Sequence, residues 1–511
     1  MADTHFVNPI AEGADPTIVR DGDRYLWTQS EGNVAISIWV SDRITSLGTK
    51  HVVWEAPEEG PCSRQVWAPE LFRWDDRWYV YFAASDGDDE NHLTYVLESE
   101  SDDPLGAYTL HGPLQTGDSA ADGAQNIWAI DLTTFELNGL RYAIWSGWPK
   151  PGTNRQDLYI APMSSPTRIG GDRTLLVRSG EYDWELVDET PSSKGLAEAP
   201  QVLQRQGRTF LIYSCSASWL PTYKMGMLEL VGDEPLRPES WKRHPAPIFQ
   251  SSPATYGVGH ASYTTARDGR EWWHVYHAKR DREPGWRRAI YAQPMAWRAD
   301  GLPELGQPVP AAAPVPMPSG PMGPAQVAAR EWRFSRDGQD GFDYYGHHQY
   351  FSVDARGMHL GVVPARPVNE YRSGEKLVVR DGDYRDLRLV ADFAVLDGSH
   401  DVGVIFRVSR PAVGFDALRG YFVGVSTGRS TVVLGAMNGH GWREIAIAPA
   451  YVDPNAQRLV VEATGPRINV YLGSDLQPVI TVDDAEFNRG SVGCRVVDTH
   501  AVFSSLAVTP L

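Results

Sequence analysis

The sequence predicts an all-β chain, a five-bladed β-propeller followed by a β-sandwich. Three observations carry that expectation. Five segments share one build: a short apolar strand, a turn with Asp, Asn or Gly, then an aromatic strand. They begin at Asp15, Ala68, Asp131, Glu198 and His260, spaced 53, 63, 67 and 62 residues apart. A long, regular internal period is the mark of a radial or stacked repeat. Next, seven prolines fall between Pro308 and Pro324, which reads as an extended linker that cannot form a sheet ladder. Finally, the chain beyond that run alternates apolar and polar residues with period two.

The elements follow in order. Residues 1–306 are expected to form the propeller. Trp78-Tyr-Val-Tyr-Phe, Tyr142-Ala-Ile-Trp, Phe210-Leu-Ile-Tyr and Trp272-Trp-His-Val-Tyr read as β-branched and aromatic strands. Asp21-Gly, Asn138-Gly and Asp268-Gly read as hairpin turns. Residues 307–328 are the expected linker. Residues 329–511 are the expected sandwich, with half-buried strands such as Leu387-Arg-Leu-Val-Ala-Asp-Phe and Val402-Gly-Val-Ile-Phe-Arg.

Size and composition agree with two globular domains: 511 residues, 42% hydrophobic and 22% charged. The net charge of −18 is spread along the chain. It argues against nucleic acid or an anionic membrane as partners, because both need basic patches. A neutral sugar is compatible, and 18 tryptophans suit sugar rings, although most of them are expected to pack between blades. Cys62, Cys215 and Cys494 are scattered without metal or redox spacing and read as buried thiols. No apolar run is long enough to cross a bilayer, and the start lacks the secretory pattern. The expected location is the cytoplasm, or outside the cell if a leader precedes this start.

Radial repetition would turn the first residue of each repeat toward a common axis. Asp15, Asp131, Glu198 and His260 would then meet although they are far apart in sequence. Cleaving a glycosidic bond needs two carboxyl groups of different pKa, and crowded acids repel, which keeps one of them protonated. Glu198 has the longer reach and is the expected general acid. Asp15 is the expected general base, and Asp131 would orient the acid and raise its pKa. Glu70 is a weaker candidate. His260 could hold a metal through a ring nitrogen, and Ca²⁺ there would need several waters because it prefers oxygen. Arg288 would balance the acids. For each residue taken alone, an ordinary turn, surface or structural role is the competing reading.

The first 300 or so residues resemble glycoside hydrolase family 43. Gly13-Ala-Asp-Pro-Thr-Ile-Val-Arg-Asp-Gly, Val66-Trp-Ala-Pro-Glu-Leu, Trp128-Ala-Ile-Asp, Glu198-Ala-Pro-Gln-Val-Leu and Gly257-Val-Gly-His carry the likeness, which is greatest to the α-L-arabinofuranosidase branch. The resemblance implies an inverting mechanism with Asp15 as base, Glu198 as acid and Asp131 as pKa modulator. It also implies a hydrated cation, commonly calcium, near His260, and Arg288 beside the acids. Trp67 and Trp128 flank motif residues and are the expected walls of a one-sugar pocket. An inverting site places the two catalytic carboxyls about 6.5–9.5 Å apart. The branch usually has Glu-Gly-Pro-Gln where this chain has Glu198-Ala-Pro-Gln. The C-terminal part resembles laminin-G-like or concanavalin-like sandwiches, through Phe406-Arg-Val, Gly420-Tyr-Phe-Val-Gly-Val and Gly441-Trp-Arg-Glu-Ile. It is expected to brace the propeller; a carbohydrate-binding module, with Trp442 and Tyr421 as sugar platforms, is the alternative, core packing being the expected role of Tyr421.

The expected function is release of terminal α-L-arabinofuranosyl residues from plant polysaccharides or oligosaccharides. The nearest alternative is the same reaction on β-D-xylosyl, β-D-galactofuranosyl or D-arabinofuranosyl residues. A non-catalytic sugar-binding propeller is the alternative of another class, but binding alone does not need three crowded carboxylates. Fructan hydrolases share the two-domain plan, yet their Asn-Asp-Pro-Asn, Arg-Asp-Pro and Glu-Cys motifs do not occur here.

Overall fold

Strand after strand in this chain closes on its sequence neighbour, and the computed structural model resolves the result, among the described residues, into five small sheets, two larger ones and a two-stranded ribbon. It describes residues 4–117, 126–188, 190, 193–320, 325–361 and 374–511. Two compact units emerge: Gly13–Ile44 with Lys50–Pro310, and Met1–Glu12 with Thr45–Thr49 and Ala311–Leu511.

The first unit is the propeller. Blade 1 runs Thr17–Asp21, Arg24–Glu31, Ala35–Ser41 and Thr49–Glu55. Blade 2 runs Arg64–Trp74, Arg77–Ser85, Leu93–Ser99 and Tyr108–His111. Blade 3 is built on Ala129–Leu137, Leu140–Gly147 and Asp157–Ser165, and Thr174–Val177 pairs with the third of these. Blade 4 runs Ala197–Arg205, Arg208–Cys215, Lys224–Leu230 and Trp241–Arg243. Blade 5 is built on Tyr256–Thr265, Trp272–Lys279 and Arg288–Trp297. Each innermost strand touches the next, and the fifth touches the first, so the ring is closed.

Apolar side chains fill the gaps between successive blades. Trp78, Phe82 and Leu26 share one cluster between blades 1 and 2, and Trp145, Tyr81 and Leu132 share one between blades 2 and 3. Trp27, Trp39, Trp78, Trp145 and Trp273 are fully buried, which is the packing role expected for most tryptophans. A recurring polar stitch joins the blades. Thr94 Oγ1 donates to Ala129 O (3.1 Å), Ser146 Oγ donates to Ala197 O (2.8 Å), and His260 N–H donates to Ser214 Oγ (2.8 Å). Each ties a second or third strand to the inner strand of the following blade, satisfying backbone groups on the axial edge of that strand.

The second unit is a sandwich of two antiparallel sheets. One is ordered Phe351–Asp354, Gly357–Leu360, Thr499–Pro510, Leu387–Gly398, Gln457–Thr464, Arg467–Leu472 and Ile480–Asp483. The other is ordered Phe342–Tyr345, Lys376–Val379, Ser491–Val496, Asp401–Ser409, Arg419–Ser426, Thr431–Asn438 and Trp442–Pro449. The period-two pattern places Leu387, Leu389 and Ala391 in the core while Arg388 stays exposed. Tyr421 is buried, with its hydroxyl donating to Asp484 Oδ1 (2.6 Å). Trp442 is partly exposed and lies over Gly435, where a Cβ would come within 2.3 Å of the indole. All three cysteines are buried and free.

Two expectations change. By compactness, residues up to Glu12 group with the C-terminal unit, and the units divide at Pro310–Ala311, inside the expected 307–328 linker. The proline run also makes a ladder: Pro314–Pro316 pairs antiparallel with His5–Val7, with Val315 opposite Phe6. Proline is tolerated because this is a two-stranded ribbon, where the residues flanking Val315 need not donate inward. Val315 is buried and provides the apolar anchor. Residues 321–324 of the run lie outside the described set.

Candidate active site

Asp15, Ala68, Asp131, Ala199 and His260 all have positive φ, between 45° and 54°. None is glycine, and left-handed backbone costs such residues roughly 1–2 kcal/mol each. In blades 2 to 5 the strand register breaks at this point: between Trp67 and Glu70, Ile130 and Thr133, Glu198 and Gln201, and Gly259 and Ser262. The inner strands therefore carry one repeated bulge, and a bulge re-aims its side chains. The strain recurs at equivalent places around the ring, as expected where backbone geometry serves a site. Three of the five positions hold Asp15, Asp131 and His260. In blade 4 the left-handed residue is Ala199, and the acid, Glu198, stands one position earlier.

Three cationic or imidazole groups converge on Asp15 Oδ1. Arg288 Nη1 lies at 3.2 Å, His260 Nδ1 at 3.1 Å and His277 Nδ1 at 3.1 Å. The Asp15 N–H also donates to His277 Nδ1 (3.3 Å). Burial by itself would push the Asp15 carboxyl up, but Arg288 and His260 outweigh it and hold the group well below the usual range. His260 gains in return. Burial opposes its charge, but Asp15 and Asp131 raise it to about 9. His277 is buried without enough compensation and drops to about 3, so its ring is neutral.

Glu198 behaves in the opposite way. Burial, then repulsion from Asp131, pushes its carboxyl up to about 8. Its oxygen Oε1 accepts a hydrogen bond from the Tyr223 hydroxyl (2.8 Å). The Tyr223 ring is buried and stacks on His277, with centroids 5.4 Å apart. It fits only because residue 259 is glycine: a Cβ there would stand 2.3 Å from Tyr223 Cε1. Asp131 Oδ2 accepts from the Ala199 N–H (3.0 Å), which pins the acid to the strand that carries Glu198. Asp131 is itself raised, by burial and by Asp15. Glu70 is also buried and pushed up to about 8, chiefly by burial. Two acids that environment drives in opposite directions, one ionised and one protonated near neutral pH, are what general acid–base cleavage requires.

The site thus gathers Asp15, Asp131, Glu198, His260 and Arg288, all named from the sequence. Trp67 is half-buried and stacks on His92 at 3.9 Å. Trp128 is more enclosed. One face lies on Trp148 (5.1 Å), and its N–H donates to Asp89 O (2.7 Å). Both pack in one apolar group with Ile127, Ile130 and Trp148. Sequence reading missed His277 and Tyr223. His277 stands opposite Gly259 across the hairpin of blade 5, so a histidine level with the motif was the available signal, in a strand that also carries His274 and Lys279. Tyr223 carries no such signal, because it follows an irregular loop.

Buried polar atoms remain near the axis. His260 Nε2 has no hydrogen-bond partner, and Glu70, which has Gln201 and Thr133 beside its carboxyl, interacts electrostatically with His260. Among the described residues, no group of three or more His, Cys, Asp or Glu side chains could hold an ion. The donor set therefore fits only a cation that keeps most of its own water.

Comparison with known proteins agrees with this geometry. Residues 6–303 match the model of glycosyl hydrolases family 43. The chain is 33% identical over 321 residues to an extracellular exo-α-(1→5)-L-arabinofuranosidase of Streptomyces avermitilis, covering 60% of this chain and 64% of that protein. It is 34% identical over 288 residues to the enzyme of the same name from Streptomyces chartreusis, covering 54% of this chain and 84% of that one. Among solved structures, an α-L-arabinofuranosidase from Lactobacillus brevis superposes with a TM-score of 0.55 at 32% identity, covering 60% of this chain and 98% of that one. The chain thus spans a little under two thirds of the Streptomyces avermitilis protein's length.

Proposed function

Because this chain belongs to family 43 of the glycosyl hydrolases, we propose that it is an inverting exo-glycosidase releasing terminal α-L-arabinofuranosyl residues from plant polysaccharides or oligosaccharides. One observation carries the mechanism: Asp15 is held ionised by Arg288 and His260, while Glu198 is kept protonated by burial and by Asp131. The names of the relatives, and the L. brevis structure, support the sugar and the exo mode.

In this reading a water held by Asp15 attacks the anomeric carbon. Its proton passes to the Asp15 carboxylate as the bond to the leaving oxygen breaks. Glu198 gives its proton to that oxygen, and the sugar leaves with inverted configuration. Asp131 fixes the Ala199 backbone, and its charge keeps Glu198 from ionising early. Arg288 and His260 keep Asp15 a carboxylate until it takes the proton. After product leaves, Asp15 returns its proton to solvent and Glu198 regains one.

A hydrated divalent cation, such as calcium, would be held near His260 only with that ring neutral and Nε2 unprotonated, most of its ligands being its own waters. When bound it would supply positive charge at the axis. Like the two Streptomyces relatives, named as extracellular, the protein would act outside the cell. No helix among the described residues is long and apolar enough to cross a membrane.

The test follows hydrolysis of a panel of nitrophenyl glycosides and reads the first-formed anomer by proton NMR. The reading expects the α-L-arabinofuranoside to be the best substrate and the β-anomer of the product to appear first. On α-1,5-linked L-arabinobiose, whose alkoxide leaving group needs a proton, Glu198→Gln should lower kcat by at least about a thousandfold, in line with loss of general acid help. Retention of configuration, or parental rates in Glu198→Gln, would refute it.

A further inference from the structure

Trp286 and Trp219 take no part in the proton transfers above, yet they are fastened to the groups that do. Trp286 is 64% exposed. One face of its indole lies against the Arg288 guanidinium at 5.2 Å, and Arg288 is the residue that grips Asp15. Its ring also meets Trp219 at 5.3 Å, tilted by 53°. Trp219 belongs to the loop that ends at Tyr223, the residue that holds Glu198. The two loops are tied by the Gly285 N–H donating to Trp219 O (2.8 Å), and the Trp219 loop is tied to blade 5 by the Gly257 N–H donating to Pro221 O (3.0 Å). A pair of aromatic rings is thus anchored at once to the acid side and the base side of the site, with indole surface left open to solvent.

We propose that Trp286 and Trp219 form an aromatic lip that stacks on the sugar ring on the leaving side of the scissile bond. The leaving oxygen must face Glu198, so the ring attached to it extends outward past the loop of residues 216–223, whose Tyr223 holds that acid. Sugar rings present C–H faces that pack on flat aromatic surface. Arg288 fills one side of Trp286 and holds it rigid, so little ordering is needed when a sugar arrives. The lip rests on the glycosidase reading of the same carboxylates. It would select for substrates in which the departing group is itself a sugar.

The experiment compares the parent chain with Trp286→Ala, Trp219→Ala and Trp286→Phe. Substrate is α-1,5-linked L-arabinobiose, and free L-arabinose serves as a competitive inhibitor that occupies only the terminal pocket. Trp286→Ala should raise KM for the disaccharide about five- to tenfold, corresponding to about 1–1.4 kcal/mol. The Ki of arabinose should stay within about twofold, and Trp286→Phe should restore most of the affinity, since a flat ring remains. Trp219→Ala should move KM in the same direction. An unchanged KM in Trp286→Ala, or an equal rise in KM and in arabinose Ki, would overturn the lip while leaving the glycosidase reading standing. A parent that cleaves neither arabinobiose nor any nitrophenyl glycoside would overturn both.

Discussion

Removing a single hydroxyl, in Tyr223→Phe, should move the alkaline limb of the pH–activity profile upward. Tyr223 donates to Glu198 Oε1 at 2.8 Å, and both side chains are buried. A hydrogen bond to a charged group is worth roughly 1.5–3 kcal/mol, and one pKa unit corresponds to about 1.4 kcal/mol. Part of this cancels, because the protonated acid also loses the contact. The net expectation is a rise of about one unit from the parental value near 8. The sign follows from the role: the acid works protonated, activity falls as pH rises through its pKa, and a carboxylate deprived of its donor is harder to form. The ring stays in place, stacked on His277, so the change is local. The assay is kcat/KM for α-1,5-linked L-arabinobiose, whose alkoxide leaving group requires the acid, from about pH 5 to about pH 10, which reports the free enzyme. A limb that stays put, or moves down, would show that Glu198 is not the group titrating there.

Three further outcomes follow from the same geometry. Asp131→Asn keeps an acceptor for the Ala199 N–H but removes the charge that raises Glu198; the alkaline limb should move down, and a rise would contradict the coupling. Arg288→Met removes the positive charge that does most to lower the Asp15 carboxyl, so the acidic limb should shift to higher pH, read from the same profile. Gly259→Ala would drive a methyl into the Tyr223 ring. Overpacking of that kind costs roughly 1–3 kcal/mol, measurable by urea unfolding, and kcat should fall along with stability, whereas a parental midpoint would show that the loop yields freely.

Much of the site was legible before any coordinates. The repeat register named Asp15, Asp131 and His260, and the structure explains why register sufficed: each sits at the same left-handed bulge of an inner strand, with φ of 50°, 54° and 46°. Glu198 read as one residue out of step, and its blade indeed gives the left-handed position to Ala199. The proline run misled in one respect. Composition says that proline leaves a ladder short of donors, but it does not reveal that Pro314–Pro316 lies in a two-stranded ribbon, where that shortage is harmless. The grouping of the first dozen residues with the C-terminal unit was equally out of reach, since no local pattern states which distant strand a segment will join.

Local residue pattern, then, was enough to specify the blades, their number and the carboxylates that face inward, because strand period, turn chemistry and repeat spacing are properties of neighbouring residues. Folding in three dimensions decided which acid is ionised and which is protonated. That choice depends on burial and on charges brought from other blades, Arg288 and His260 to Asp15 and Asp131 to Glu198, and Coulomb energies depend on distance through space and on dielectric surroundings, neither of which is written along the chain.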